Sequence, residues 1–261
     1  MGKKNSLLWK FHLPGKSKTH YLLGTMHVSS SEAYSYVALA QHYMDQCMIY
    51  AGELDLNDPG LSDISNIFMG GQDVKLLIGE KKYKKAKNQI LKAFNIDLDS
   101  ISAYKPIVIT NMIGESLLTK EYDLALDHFL WEYAQAKNMK MYGLESAEDQ
   151  AYIMQNIPLD YQIKAFKSMV SNVSKFRKDA LKLAEYYASG DLQKLYKSAR
   201  KSMGGLRKLM IYDRNAIMAD KILEKVDEGT VFAAIGAAHL SGKKGVLKLL
   251  KDVGYKVKPI T

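Results

Sequence analysis

The sequence predicts an α/β fold: a mixed, partly parallel central sheet flanked by helices, with a large helical insert. Short apolar runs of strand character cluster at both ends of the chain, and apolar positions recur at helical spacing between them. At each end the order reads strand, helix, strand. That arrangement places connecting loops, and with them a site, at the carboxyl ends of the strands.

The elements follow in order. Leu7 to Leu13 and His20 to Leu23 read as strands separated by Pro14-Gly15-Lys16-Ser17, the composition of a hairpin turn. Ser29-Ser30-Ser31-Glu32 opens a helix, with Ser29 or Ser30 as its cap, running through Met44. A strand from Cys47 to Ala51 comes next. The pattern from Pro59 to Tyr104 is helical and lysine-rich, and Ser102-Ala103-Tyr104-Lys105-Pro106 leads into an apolar helix through Leu118. Asp123 to Lys137 reads as a helix with Leu124, Leu126, Phe129, Leu130 and Tyr133 largely inward, ending near Asn138, before a short strand at Lys140 to Leu144. Helices from Asp160 to Ser189 and Asp191 to Lys201 follow; Gly204-Gly205 breaks the pattern before a helix through Arg214 and Lys225. Thr230 to Ile235 is a continuous apolar strand, Gly245 to Lys251 an amphipathic helix closed by Gly254, and Tyr255 to Lys258 a last strand. The expectation is one domain over residues 1–261, the helical insert occupying roughly 59–207 and covering one side of the cleft.

Composition supports a packed core, because 47% of 261 residues are hydrophobic and 25% charged. Cys47, the single cysteine, lies in an apolar run and reads as a buried structural thiol, so no internal disulfide forms. The net charge of +9 arises from lysine-rich helices whose lysines alternate with apolar residues at helical spacing, the pattern of solvated helix faces. With no zinc finger, RNA-recognition signature or basic-aromatic array, a nucleic-acid partner is not expected. No segment approaches the roughly 20 uninterrupted apolar residues of a membrane span. The N-terminus lacks the apolar core of a secretory signal, so the expectation is a soluble, cytoplasmic protein.

Two tetrapeptides of one form carry the chemistry. Gly24-Thr25-Met26-His27 and Gly236-Ala237-Ala238-His239 each follow an apolar strand, and Glu53 lies just past a third. Two imidazoles and a carboxylate are a ligand set for one divalent metal. Taken singly, a histidine after a strand is more often packed than ligating, and Gly24 and Gly236 can serve as turn glycines alone. The matching second motif favours a shared site.

These residues carry a family resemblance. Leu7-Leu8-Trp9-Lys10 before Tyr21-Leu22-Leu23-Gly24-Thr25-Met26-His27 resembles the opening of the TraB/PrgY/GumN family, to which the Tiki metalloproteases are related, and Glu53 takes the place of its acidic residue. Tyr142-Gly143-Leu144-Glu145-Ser146-Ala147-Glu148-Asp149-Gln150 resembles its central element, Arg214-Asn215 its basic pair before the last long strand, and Leu240-Ser241-Gly242 the continuation of its second histidine motif. The resemblance implies a mixed-sheet α/β fold and a metal-dependent hydrolase centre, and leaves open which peptide or small molecule is the substrate.

In this reading His27 and His239 are neutral ligands of a divalent ion, manganese, cobalt or zinc. Glu53 completes the set or takes a proton from bound water, whose pKa a metal lowers from 15.7 to about 7. Arg214 holds a substrate carboxylate or an oxyanion, and Gly24, Gly236, Glu145 and Asn215 surround these groups. Bland alternatives stand beside several residues: Glu145 as the acidic start of a helix, Arg214 as a partner of Asp213, and His12, His20 and His42 as exposed or packed. His128 with Asp127 is read as structural, although such a pair can approach the centre from the insert. The second functional reading is a non-catalytic protein that sequesters a peptide or small acidic ligand in the same cleft.

Overall fold

A computed structural model describes residues 5–69, 73–118 and 120–261. Strand β1 (Leu8–His12) and strand β2 (His20–Thr25) precede helices α1 (Ser31–Tyr34) and α2 (Val37–Met44) and strand β3 (Ile49–Leu54). Then come α3 (Leu61–Met69), α4 (Val74–Ile78), α5 (Glu80–Phe94), α6 (Pro106–Glu115) and α7 (Leu126–Ala136), and strand β4 (Lys140–Glu145). Helices α8 (Ala147–Asn156), α9 (Leu159–Ser171), α10 (Val173–Ala188), α11 (Leu192–Met203) and α12 (Asp213–Glu228) lead to β5 (Val231–Gly236), α13 (Val246–Asp252) and β6 (Lys256–Pro259).

The described residues of Met1–Asp58, Lys120–Ser146 and Leu183–Thr261 form one compact unit, which holds the whole sheet. Strand order is β4-β3-β5-β2-β1-β6. Parallel ladders join β2 to β5, β5 to β3 and β3 to β4, while β1 runs antiparallel to both β2 and β6. The mixed, partly parallel sheet is therefore present. β2 is buried throughout and β5 nearly so, as continuous apolar runs covered on both faces should be. β6, at the edge, turns Lys256 and Lys258 outward, and such charges discourage pairing with another edge.

The described residues of Pro59–Thr119 and Ala147–Lys182 form a second, helical unit. Its core contains Val74, Tyr83, Ile90, Ile109, Ile113 and Phe166. On α5 the buried residues Tyr83, Ala86 and Ile90 recur at helical spacing, leaving the lysines between them on the opposite, solvated face. Residues 120–146 and 183–207, within the stretch expected as insert, belong to the sheet unit. No helix among the described residues is long and apolar enough to cross a membrane.

Three of the departures from the sequence expectation have a clear local reason. The helix expected from Ser29 through Met44 is split, because Ser35 Oγ donates to Glu32 O at 2.7 Å and closes α1 after one turn. The helix expected from Asp160 to Ser189 breaks at Asn172, whose Oδ1 accepts from Lys175 N at 3.0 Å and caps the start of α10. β3 runs past Ala51 to Leu54, since its ladder with β4 continues to the Leu54–Glu145 pair. That extension puts Glu53 within the strand.

Candidate functional site

Glu53 is the penultimate residue of β3, and Glu145 ends β4 beside it. Arg214 faces both from the first turn of α12, which is entered directly through a π-helical turn at Lys208–Tyr212. Such turns occur often at functional sites. The guanidinium donates to Glu145 twice, Nε to Oε1 at 2.7 Å and Nη2 to Oε2 at 2.6 Å, and Nη2 also donates to Glu53 Oε1 at 2.5 Å. This is the fork geometry that arginine supplies and lysine cannot. Glu53 Oε2 accepts the backbone N–H of Gly236 at 2.6 Å. Burial works against ionisation of Glu53, but Arg214, His239 and the Gly236 N–H override it and lower its pKa to about 2. Arg214 is itself held charged by the two carboxylates against the opposing effect of burial.

His239 closes the short turn Ala237–His239 after β5 and is 5% exposed. Its Nδ1 meets Asn215 Oδ1 at 2.7 Å, while Asn215 Nδ2 donates to Lys244 O at 2.6 Å. The second bond fixes which end of the amide faces the imidazole, so Nδ1 carries the proton and Nε2 the lone pair. Burial lowers the pKa of His239 to about 4, Glu53 opposing and Arg214 reinforcing the shift. The ring is neutral at pH 7.

His27 belongs to a neighbouring cluster past the end of β2. Thr25 Oγ1 donates to Asp127 Oδ1 at 2.5 Å, and Asp127 Oδ2 meets His27 Nδ1 at 3.2 Å. An ionised carboxylate only accepts, which again puts the proton on Nδ1. Asp127 lies in the first turn of α7, and the adjacent His128 packs its ring edge-on against His27 with centroids 5.6 Å apart. The His27 side chain is 61% exposed, in contrast to the buried His239.

The β2–β5 register pairs Thr25 with Gly236, bringing the ends of the two Gly-x-x-His strands side by side. Both motif glycines are sites of close packing. A Cβ at Gly24 would lie 3.0 Å from Ala237 Cα, and one at Gly236 would lie 3.2 Å from Glu53 Oε2. Glu53, Glu145, Arg214, Asn215, Gly236 and His239 are thus brought together, and His27 stands with Thr25, Asp127 and His128. The sequence expectation is a single ligand set from His27, His239 and Glu53. Among the described residues no three His, Cys, Asp or Glu side chains are grouped closely enough to hold a metal ion. Glu53 is paired with Arg214 through Oε1. Arg214, expected to await a substrate anion or to pair with Asp213, is engaged by Glu145 and Glu53, while Asp213 pairs with Lys208. Thr25 and Asp127 are not among the site residues expected from sequence; the Asp127-His128 dipeptide is the signal that points to Asp127, and Thr25 is marked only by its place inside the first motif. His20 is packed, buried against Phe11 and accepting from Val231 N.

A model of the TraB/PrgY/gumN family matches residues 7–259. The chain belongs to this family. Among curated relatives of this TraB/PrgY/gumN chain, Metalloprotease TIKI2 of Danio rerio is 22% identical over 97% of the chain and 60% of the relative. Metalloprotease TIKI1 of Xenopus tropicalis is 21% identical over 97% of the chain and 61% of the relative. The chain therefore spans about three fifths of the length of these relatives. No solved structure matches it.

Proposed function

We propose that this site is the centre of a metal-dependent hydrolase that cleaves amide bonds in a peptide, with His27 and His239 holding a divalent ion through Nε2. The observation that carries the reading is the shared presentation of the two motif histidines. Each follows one of two paired parallel strands, and each has Nδ1 committed to an orienting partner, Asp127 or Asn215. Metal-binding histidines are held in this way, which fixes the tautomer and aims the other nitrogen. The donor chemistry fits manganese, cobalt or zinc in kind, although three donors are not gathered in the arrangement described. The names of the TIKI relatives add support for peptide cleavage.

When bound, the ion would polarise a carbonyl and supply hydroxide at neutral pH. The chain's own residues have separable parts in this reading. Glu53, with its pKa near 2, is a fixed negative charge beside His239 rather than a base tuned to neutral pH. Arg214 positions Glu53 and Glu145 and is not spent on substrate. Asp127 and Asn215 orient the two imidazoles.

Metal binding and turnover test the reading separately. Chelator-treated protein, titrated calorimetrically with manganese, cobalt and zinc, should bind one ion. His27→Ala and His239→Ala should each abolish binding with circular dichroism unchanged. Asp127→Asn should weaken it by roughly 10–100-fold, the usual effect of losing an orienting partner. Turnover is followed by mass spectrometry on a peptide mixture. Histidine variants that bind metal like the parent and keep its full activity would show the proposed centre to be wrong.

A further inference from the structure

A cavity of about 440 Å³ lies in the sheet unit beside the segment that follows His239. Its walls come from stretches far apart in sequence: the approach to β1, the start of α11, Leu240-Ser241-Gly242, one face of α13, and Pro259 of β6. Small-molecule sites commonly fall between roughly 300 and 1,000 Å³.

The lining is chemically two-sided. Trp9, Leu192 and Leu247 supply an apolar surface backed by the fully buried Leu240, and the indole is fixed because Trp9 Nε1 donates to Ser6 O at 3.2 Å. Lys248 and Lys251 come from one face of α13, and no carboxylate among the described residues lines the cavity. Lys248 is paired with Asp252, whereas Lys251 has no ion pair among the described residues. Ser241 adds a donor inside the wall. It is 7% exposed and its Oγ accepts from Gln193 Nε2 at 2.7 Å, so its own hydroxyl proton has no acceptor among the described residues. The wall is built rather than incidental: Gly242 has φ +102°, and a Cβ there would lie 2.4 Å from the Tyr196 ring.

We propose that this cavity binds an amphipathic monoanion, its apolar body against Trp9 and the leucines and its acidic head drawn to the α13 lysines with Ser241 Oγ as a donor. The proposal is independent of the hydrolase reading. Leu240 connects the two places, since it walls the cavity and packs over Gly24 of the first histidine motif, where a Cβ would lie 3.1 Å from Leu240 Cδ2.

Titration calorimetry on the full chain tests it, with decanoate and decyl sulfate, both below micelle formation, as the two head-group sources. Decanol removes the charge and acetate the apolar body. At least one of the two amphipathic anions should bind saturably at one site, the tighter identifying the head group, and decanol and acetate should bind at least tenfold more weakly. Lys251→Glu, at an exposed position, should weaken binding at least tenfold. Lys16→Glu, an equal charge change in the exposed β1–β2 turn, should leave it unchanged, and Ser241→Ala should cost about threefold. Absence of saturable binding, decanol binding as tightly as the anions, or equal effects of the two lysine variants would overturn the proposal.

Discussion

Arg214 lies between two carboxylates, one of which, Glu145, has no exposed side-chain surface. Removing one member of such a buried group leaves charge without compensation, which typically costs about 3–5 kcal/mol. Arg214→Met should therefore lower stability by about that much in urea unfolding, because Glu53 and Glu145 would face each other with no cation. Glu145→Gln leaves Arg214 its pairing with Glu53 and should cost less, about 2 kcal/mol. The pH dependence carries the same signature. The folded pKa of Glu53 is about 2, below its ordinary 4.5, so the stabilisation is whole above about pH 4.5 and is lost as pH falls toward 2. In Arg214→Met that window should disappear from the stability profile. Glu53 was legible in sequence from its place after an apolar run, but its partner was not. Local spacing offers Arg214 the adjacent Asp213, and only the sheet brings in Glu145 from 69 positions away. Asp127 was obscured for the same reason, its role depending on His27 at 100 positions' distance.

Among the strands, His20 at the head of β2 links the sheet to pH. Its Nδ1 accepts from Val231 N at 3.2 Å, and burial, reinforced by Lys18, lowers its pKa from 6.5 to about 4. The unfolded chain takes up this proton first, so the neutral ring imposes no penalty above pH 6.5 and stability falls between 6.5 and 4, by roughly 3 kcal/mol at most. His20→Phe should flatten that interval in unfolding titrations, while costing about 1–3 kcal/mol at neutral pH by orphaning the Val231 N–H. The turn after β2 is equally constrained. Gly24→Ala would press its methyl against Ala237 and Leu240, and overpacking of this kind costs about 1–3 kcal/mol. Its chemical-shift changes should extend to His239, and an unchanged His239 resonance would count against the packing described. Strands such as β2 and β5 were readable because their burial is written as continuous apolar residues. The splits at Ser35 and Asn172 were not, because both residues also fit a helical period and terminate a helix only when their side chains turn back onto the backbone.

At the scale of the whole molecule, the sequence shows strands at the ends and helices between, yet not which helices share a core. Periodicity identifies a buried face without naming what covers it. Thus Leu126 and Leu130 of α7 are packed within the sheet unit, whereas Phe166 of α9, with equally helical patterning, is in the core of the helical unit beside Ile109 and Ile113. Two cores imply two regions whose protection can be perturbed separately. Phe166 is completely buried, and Phe166→Ala should remove about 3–5 kcal/mol through lost burial and the void left behind. Hydrogen exchange followed by mass spectrometry should show the largest loss of protection in α4, α5, α6 and α9, which surround that core, and a smaller loss in β2, β3 and β5. The strands are buried among residues such as Leu22, Ile49 and Phe232 of the sheet unit, whereas Phe166 belongs to the core of the helical unit. An equal loss of protection in helices and strands would mean that the two cores open as one cooperative unit.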